Sequence, residues 1–221
     1  MKTPDRARGA TSRKLFESYL TARETVISLG FADEIDWQES RSLSDLSEHD
    51  FLEQAGWTIL ASGFREATVR RLFPSVSRAF LHWTTACTIA RRRTACERNA
   101  RRIFNHPAKI RAIGSLCERV ANEGFSSLRS KIHADGVEFL QTFNFIGPIT
   151  SYHLAKNIGL DVVKPDRHLA RLSRAAGFNS PMDLCQAIAD VTGDRLAVVD
   201  IVLWRYATIT SDYLRHFTVQ S

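Results

Sequence analysis

Apolar residues recur at helical spacing along almost the whole chain. Phe51, Ala55 and Ile59 fall one turn apart, with Leu52 and Leu60 beside them. This i, i+4, i+8 pattern predicts an amphipathic helix. Asp50 stands where its N-cap would be, with Glu53 three residues on as in a capping box. Pro74 predicts the start of another helix, Ser75 to Ala90, with Val76, Phe80, Trp83 and Cys87 on one stripe. Proline at a first turn gives up no hydrogen bond that the helix needs. Pro107 predicts a third in the same way, with Ile110, Ile113, Leu116, Cys117 and Val120 apolar. Further helices are predicted from Ala134 to Phe143, Pro148 to Asn157, Ser180 to Ala189 and Arg195 to Thr208. No sustained period-two alternation bounded by turn residues occurs, and runs such as Asp161-Val162-Val163 read as loop. The prediction is an all-α protein of about nine or ten helices, with residues 1–12 as a disordered tail and no internal repeat.

Composition bounds what such a protein can be. The chain has 221 residues, 44% of them hydrophobic, and a formal net charge of +6. It can bury a core as one domain or as two small lobes. No apolar run approaches the roughly 18 residues of a membrane span, and Met1 to Lys14 is basic and polar, so neither a membrane segment nor a secretory leader is predicted. Cys87, Cys96, Cys117 and Cys185 match no metal or redox spacing, which predicts reduced thiols in a cytoplasmic protein. Charge is uneven. Residues 32–54 carry eight acids against Arg41, whereas residues 65–131 carry fifteen Lys and Arg against four acids. Clustered positive charge is what a phosphate backbone selects, although a solvated helix face also explains it. The basic stretch lacks the broad apolar face of a membrane-surface helix.

The segment Val137 to Arg174 carries the most chemistry. A helix is expected to end near Thr142, Phe145-Ile146-Gly147-Pro148 to make a tight turn, and a second helix to start at Pro148. Gly147 permits a close approach that a side chain would block, and Ile146 would pin the turn to the core. The amides of Ile149, Thr150 and Ser151 would then point out of a helix N-terminus, a ready seat for phosphate. Gly159 is placed as a C′ residue. After a short loop, Asp166 stands at the start of another helix, ahead of His168, Leu169 and Leu172. On residue type alone, Asp166 reads as an ordinary N-cap.

A hairpin, a helix and then a loop delivering an aspartate resemble the layout of the helix-hairpin-helix DNA glycosylase superfamily. The likeness is carried by Phe145-Ile146-Gly147-Pro148-Ile149-Thr150 and by Val163-Lys164-Pro165-Asp166-Arg167-His168-Leu169, with Gly147 and Asp166 19 residues apart. Weaker likeness in the flanks extends it over most of Asp50 to Thr208. The resemblance implies a two-lobed helical fold with a cleft between the lobes. Residues 50–157 would form a central lobe containing the hairpin, and residues 13–49 with 158–221 a second lobe. It also implies an enzyme that flips a damaged or modified base out of double-stranded DNA and cuts its N-glycosidic bond. Asp166 would stabilise the positive charge developing on the sugar. Members that also nick the strand carry a lysine two residues after the second hairpin glycine; here that position is Ile149. A monofunctional, water-using glycosylase is therefore expected. No cysteine follows Cys185, so the iron–sulfur cluster of many nicking members is not expected either. The family often holds a monovalent cation on hairpin carbonyls, here those of Phe143, Phe145 and Ile146.

The remaining candidates have two readings each. Phe64 and Arg65, in the loop Ala61 to Arg65, are placed to wedge into DNA where a base has left, or are a buried Phe and a surface Arg. Trp57, Trp83 and Trp37 are base-pocket candidates; Trp57 and Trp83 also lie on apolar stripes that suit a core. Lys164 contacts phosphate or serves as an amine, and His168 orients Asp166, touches phosphate or is structural. Two rival functions follow: a hairpin protein that binds duplex DNA without chemistry, and a glycosylase/lyase using Lys164. A monomer is expected.

Overall fold

The computed structural model describes residues 4–218. Among them the chain forms twelve α-helices and no strand. These are α1 (Pro4–Val26), α2 (Ala32–Ser40), α3 (Glu48–Ala61), α4 (Glu66–Ala79), α5 (Ala86–Arg91), α6 (Arg93–Ile103), α7 (Pro107–Glu123), α8 (Phe125–Leu140), α9 (Thr150–Asn157), α10 (Arg167–Ala175), α11 (Pro181–Thr192) and α12 (Leu196–Ile209). Of the expected N-terminal tail, residues 1–3 lie outside the described residues, and α1 runs from Pro4. The chain divides into two units, one made of residues up to 40 and from 161 onward, the other of residues 41–160. The sequence suggested boundaries near 50 and 157.

The first unit comprises α1, α2, α10, α11 and α12. Its core joins Leu15, Tyr19 and Val26 of α1 with Ile35 of α2, Leu169 and Leu172 of α10, Leu184 and Ile188 of α11, and Val198, Val202 and Leu203 of α12. Each set repeats at helical spacing, which is why these segments are helices and why these faces turn inward. A polar tie crosses this core. The fully buried Tyr19 donates to Asp194 Oδ2 at 2.5 Å, and Arg23 donates to the same oxygen at 2.6 Å and to Glu39 at 2.9 Å. Burial first, then the bond to Asp194, pushes the Tyr19 hydroxyl far above its usual pKa. No helix among the described residues is long and apolar enough to cross a membrane.

The second unit comprises α3 to α9 and departs from the sequence reading at its breaks. The cap of α3 is Ser47, not Asp50. Ser47 Oγ accepts the Asp50 amide at 3.0 Å and donates to Asp50 Oδ2 at 2.6 Å, and this bond chiefly lowers the Asp50 pKa. Pro74 lies inside α4 rather than opening a helix. The predicted helix from Ser75 to Ala90 is interrupted instead at Leu81, His82 and Trp83, which all hold left-handed backbone (φ 57°, 52° and 57°). The reversal lays the Trp83 ring flat on Phe80, with centroids 5.3 Å apart, and against Gly56, where a Cβ would stand 2.8 Å from the ring. The chain then resumes as α5, whose first amides are taken by Thr85 (3.1 Å) and by Glu48, which accepts the Ala86 amide at 2.6 Å. Cys87, expected on the apolar stripe, is exposed as a result.

One glycine closes this unit. Gly159 follows α9 at φ 96°, and a Cβ on it would stand 2.4 Å from the carbonyl carbon of Ser42 and 2.6 Å from the Leu43 nitrogen. Both atoms are backbone and cannot step aside. Gly159→Ala combines left-handed strain with overpacking, and it should cost about 2–4 kcal/mol. Chemical denaturation of the two proteins measures this; an unchanged midpoint would contradict the close approach.

Candidate functional site

Asp166 begins α10. Its Oδ1 accepts the amides of His168 at 2.8 Å and Leu169 at 3.0 Å, so it is the N-cap that its residue type suggests. The carboxylate is only half-buried, and its Oδ2 takes no hydrogen bond from any described residue. One oxygen thus fixes the side chain while the other remains available. The loop that delivers it is held from α12. Asp200, buried within the apolar run Leu196 to Trp204, accepts the Lys164 amide at 2.6 Å. In return, Asp161 Oδ1 accepts the Ala197 amide at 2.9 Å. Val163, 3% exposed, is pinned in the core between these two bonds. Lys164 is half-buried, so it does not hang in solvent. His168 packs against Tyr213, with rings 6.0 Å apart. Its Nδ1 and the Tyr213 hydroxyl are both buried without a hydrogen-bond partner.

The hairpin lies in the second unit, between α8 and α9. Ile146 is buried as expected, and the Ile146 amide donates to Phe143 O at 3.1 Å. Phe143 itself is buried against Phe51 and Phe139 and lies under the Arg119 guanidinium at 4.5 Å. Arg119 also donates to Thr142 Oγ1 at 2.8 Å, which braces the first half of the turn. Two details differ from the sequence reading. The Ser151 amide donates to Gly147 O at 2.8 Å and Ser151 is fully buried, so it offers nothing outward. The Gly147 amide is likewise taken, by Thr150 Oγ1 at 2.6 Å. Of the hairpin amides expected to face a phosphate, only those of Ile149 and Thr150 stay uncommitted, behind the exposed Pro148 and Ile149. At Gly147 a Cβ would meet only Thr150 Oγ1, at 4.0 Å. Nothing inside the protein requires a glycine there, so the space it opens faces outward. The left-handed residue of this turn is Phe145, at φ 68°.

With no strand among the described residues and a hairpin of this form, the fold can be placed among known proteins. It is similar to that of an archaeal DNA glycosylase/lyase. The neighbour is the crystal structure of the Methanocaldococcus jannaschii 8-oxoguanine glycosylase/lyase in complex with a 15-mer DNA containing 8-oxoguanine. The two superpose with a TM-score of 0.56 over 91% of this chain and 98% of that one, at 18% sequence identity. The all-α, glycosylase-like fold read from the sequence is thus the observed one. No protein-family model matches the chain, and no curated protein sequence does either.

The secondary candidates sort by exposure. Phe64 is 42% exposed and Arg65 is exposed, in the loop between α3 and α4. Trp57 is half-buried, edge-on to Phe73 at 5.2 Å, with the Arg70 guanidinium 5.9 Å above it. Trp83 is corrected to a core residue: enclosed by Phe80, Phe73 and Gly56, it has no surface to offer a base. Trp37 is half-buried on α2 of the other unit. Arg91, Arg92, Arg98, Arg101 and Arg102 are exposed on α5 and α6, whereas Arg93 is spent on Glu97, Glu118 and Ser115. Sequence reasoning missed Asp200, Asp161, His106 and Lys109. Asp200 had a signal, as the single acid in an otherwise apolar stretch.

Asp200 should therefore hold Asp166 at a distance. Asp200→Ala leaves the Lys164 amide without its acceptor, and we expect a loss of about 1–3 kcal/mol. Amide exchange over residues 161–169 should quicken beyond the change elsewhere in the first unit. Exchange that rises uniformly, or not at all, would separate Asp200 from this loop.

Proposed function

We propose that the protein is a monofunctional DNA N-glycosylase, which hydrolyses the bond between a flipped, damaged or modified base and its deoxyribose. The observation that carries this reading is the Asp166 carboxylate: one oxygen locked by two amides and the other uncommitted, on a fold similar to that of a DNA glycosylase/lyase. As the C1′–N bond breaks, its electron pair leaves with the base and positive charge gathers on C1′ and the ring oxygen. An ionised carboxylate fixed beside C1′ stabilises that charge without having to reorganise. Water adds to C1′ and gives up a proton, which the carboxylate can accept. The departing base takes up a proton from solvent, matching the one that water gives up, and the sugar keeps the hydroxyl.

Hydrolysis rather than amine attack is supported by Ile149. The resemblance places the nicking lysine at this position, and isoleucine has no nucleophile. DNA as partner is supported by the exposed arginines of α5 and α6 and by the two outward amides of the hairpin. We propose that the hairpin carbonyls hold a monovalent cation as well. Ile146 O accepts no hydrogen bond from any described residue, and the carbonyls of Phe143 and Phe145 each accept one and keep a lone pair for coordination. Bound there, it would add positive charge beside the phosphate.

Asp166→Asn should keep duplex affinity within about threefold, because it removes no phosphate contact. Base release should fall by about 10³-fold or more, as when a transition-state electrostatic partner is removed. Incubation with a panel of damaged and modified duplexes, followed by hot alkali and mass spectrometry of the freed bases, reads both the activity and its substrate. Binding without any base release by the wild type would favour a non-enzymatic hairpin protein. A covalent adduct trapped by borohydride would instead favour a lyase using Lys164.

A further inference from the structure

Lys109 sits in the first turn of α7, where His106 Nδ1 accepts its amide at 3.3 Å. It is 3% exposed. Its ammonium donates to the carbonyls of Ile59, Leu60 (3.3 Å) and Ser62 (2.6 Å), so its three N–H groups are all used. These carbonyls end α3, where the helix dipole favours a cation. The same ammonium lies 5.4 Å from the centre of the Phe64 ring and 5.3 Å from that of Phe145. His106 neighbours both rings, 5.8 Å from Phe64 and 5.9 Å from Phe145. One buried charge thus joins the end of α3, the loop after it and the tip of the hairpin.

Both rings keep part of their surface exposed, Phe64 42% and Phe145 40%, although Phe104 also packs against Phe64 at 4.9 Å. Phe145, 40% exposed, stands on a left-handed backbone that glycine would adopt without strain. An exposed side chain kept at a conformational cost points to a use outside the protein. The surroundings say what kind. Arg65 is exposed beside Phe64, and Arg101 and Arg102 are exposed on the last turn of α6, which leads into Phe104 and His106. The outward amides of Ile149 and Thr150 follow Phe145 in the hairpin. Aromatic faces among cations and amide donors suit nucleobases with their phosphates, whereas an apolar protein segment would gain nothing from the charge.

We propose that Phe64 and Phe145 form a two-ring edge on which DNA bases stack when the duplex opens, and that Lys109 is its positioning residue, fixing both rings to one point. This rests on the glycosylase reading and deepens it: the hairpin would grip bases as well as phosphate. Lys109 touches no DNA itself. Burial lowers its pKa to about 8. No acid faces it: neither the end of α3 from Thr58 to Ser62 nor the hairpin from Thr142 to Ile149 contains a titratable side chain, α7 contributes His106, and the loop contributes the exposed Arg65.

The test is fluorescence of 2-aminopurine placed opposite an abasic site in a duplex, which brightens when bases unstack. Wild type should raise the signal. Lys109→Met should weaken this response by about tenfold or more, the worth of a lost aromatic stack, and Lys109→Arg should restore most of it. Phe145→Gly should lose the response to a similar degree, and its melting, read alongside, shows that it still folds. The wild-type response should also fall as pH rises through about 8, where the ammonium gives up its proton, and the Lys109→Met response should stay flat. Should Lys109→Met fail to fold, Phe145→Gly and the wild-type pH profile still decide. The proposal is overturned if wild type leaves the fluorescence unchanged, or if either Lys109→Met or Phe145→Gly opens the duplex as wild type does. Opening without base release would support it and sink the glycosylase reading alone.

Discussion

The last carbonyls of α3 have no partner within their own helix, and the Lys109 ammonium takes two of them, on Ile59 and Leu60, together with that of the C-cap Ser62. Every α-helix leaves such groups at both ends, and a buried end must find partners elsewhere. In this protein the partners come from far along the chain. Glu48 serves the start of α5, Asp161 serves the start of α12, and Asp200 serves the loop before α10. Asp166 serves α10 with one oxygen only. The demand for helix-end partners therefore places the side chains on which the proposed chemistry depends, and capping and catalysis are compatible uses of one carboxylate.

Much of this was legible in the sequence where the signal is local. Asp166 at an N-cap, Gly159 beyond a helix end and Ile146 pinned under the turn each follow from neighbours within a few residues, and the structure has all three. Signals that depend on a competing neighbour or a distant partner were not legible. Asp50 looked like a cap because it precedes an apolar run, but Ser47 three residues earlier takes that place. Trp83 looked like a stripe residue because nothing local announces the left-handed turn that drops it onto Gly56. Lys109 lies in register with Ile113, Leu116 and Val120 on the buried side of α7. Its burial is set by carbonyls some 47 to 50 residues away, which periodicity cannot report.

The hairpin shows how little side-chain chemistry such a motif needs. Thr150 Oγ1 takes the Gly147 amide and can donate to the carbonyl of Gly147 or Phe145, so one hydroxyl shapes the turn from inside. Arg119 and buried Phe143 hold it from below. What remains outward is the pair of amides on Ile149 and Thr150, together with Pro148, Ile149 and Phe145. If these donors seat a phosphate as proposed, they would do so whatever the adjoining base, because main-chain amides carry no base code.

The contact of Gly159 with Ser42 also bears on how the polypeptide reaches its native state. The first unit is discontinuous: Tyr19 and Asp194, which it joins, are separated by 175 positions. Were the intervening segment a loose coil, bringing them together would carry the entropy cost of a very long loop. Once residues 41–160 are folded, their entry and exit lie side by side, and the same segment behaves as a short link. The inserted unit can then collapse during synthesis while α1 and α2 wait for their C-terminal partners, an order of assembly set by topology alone.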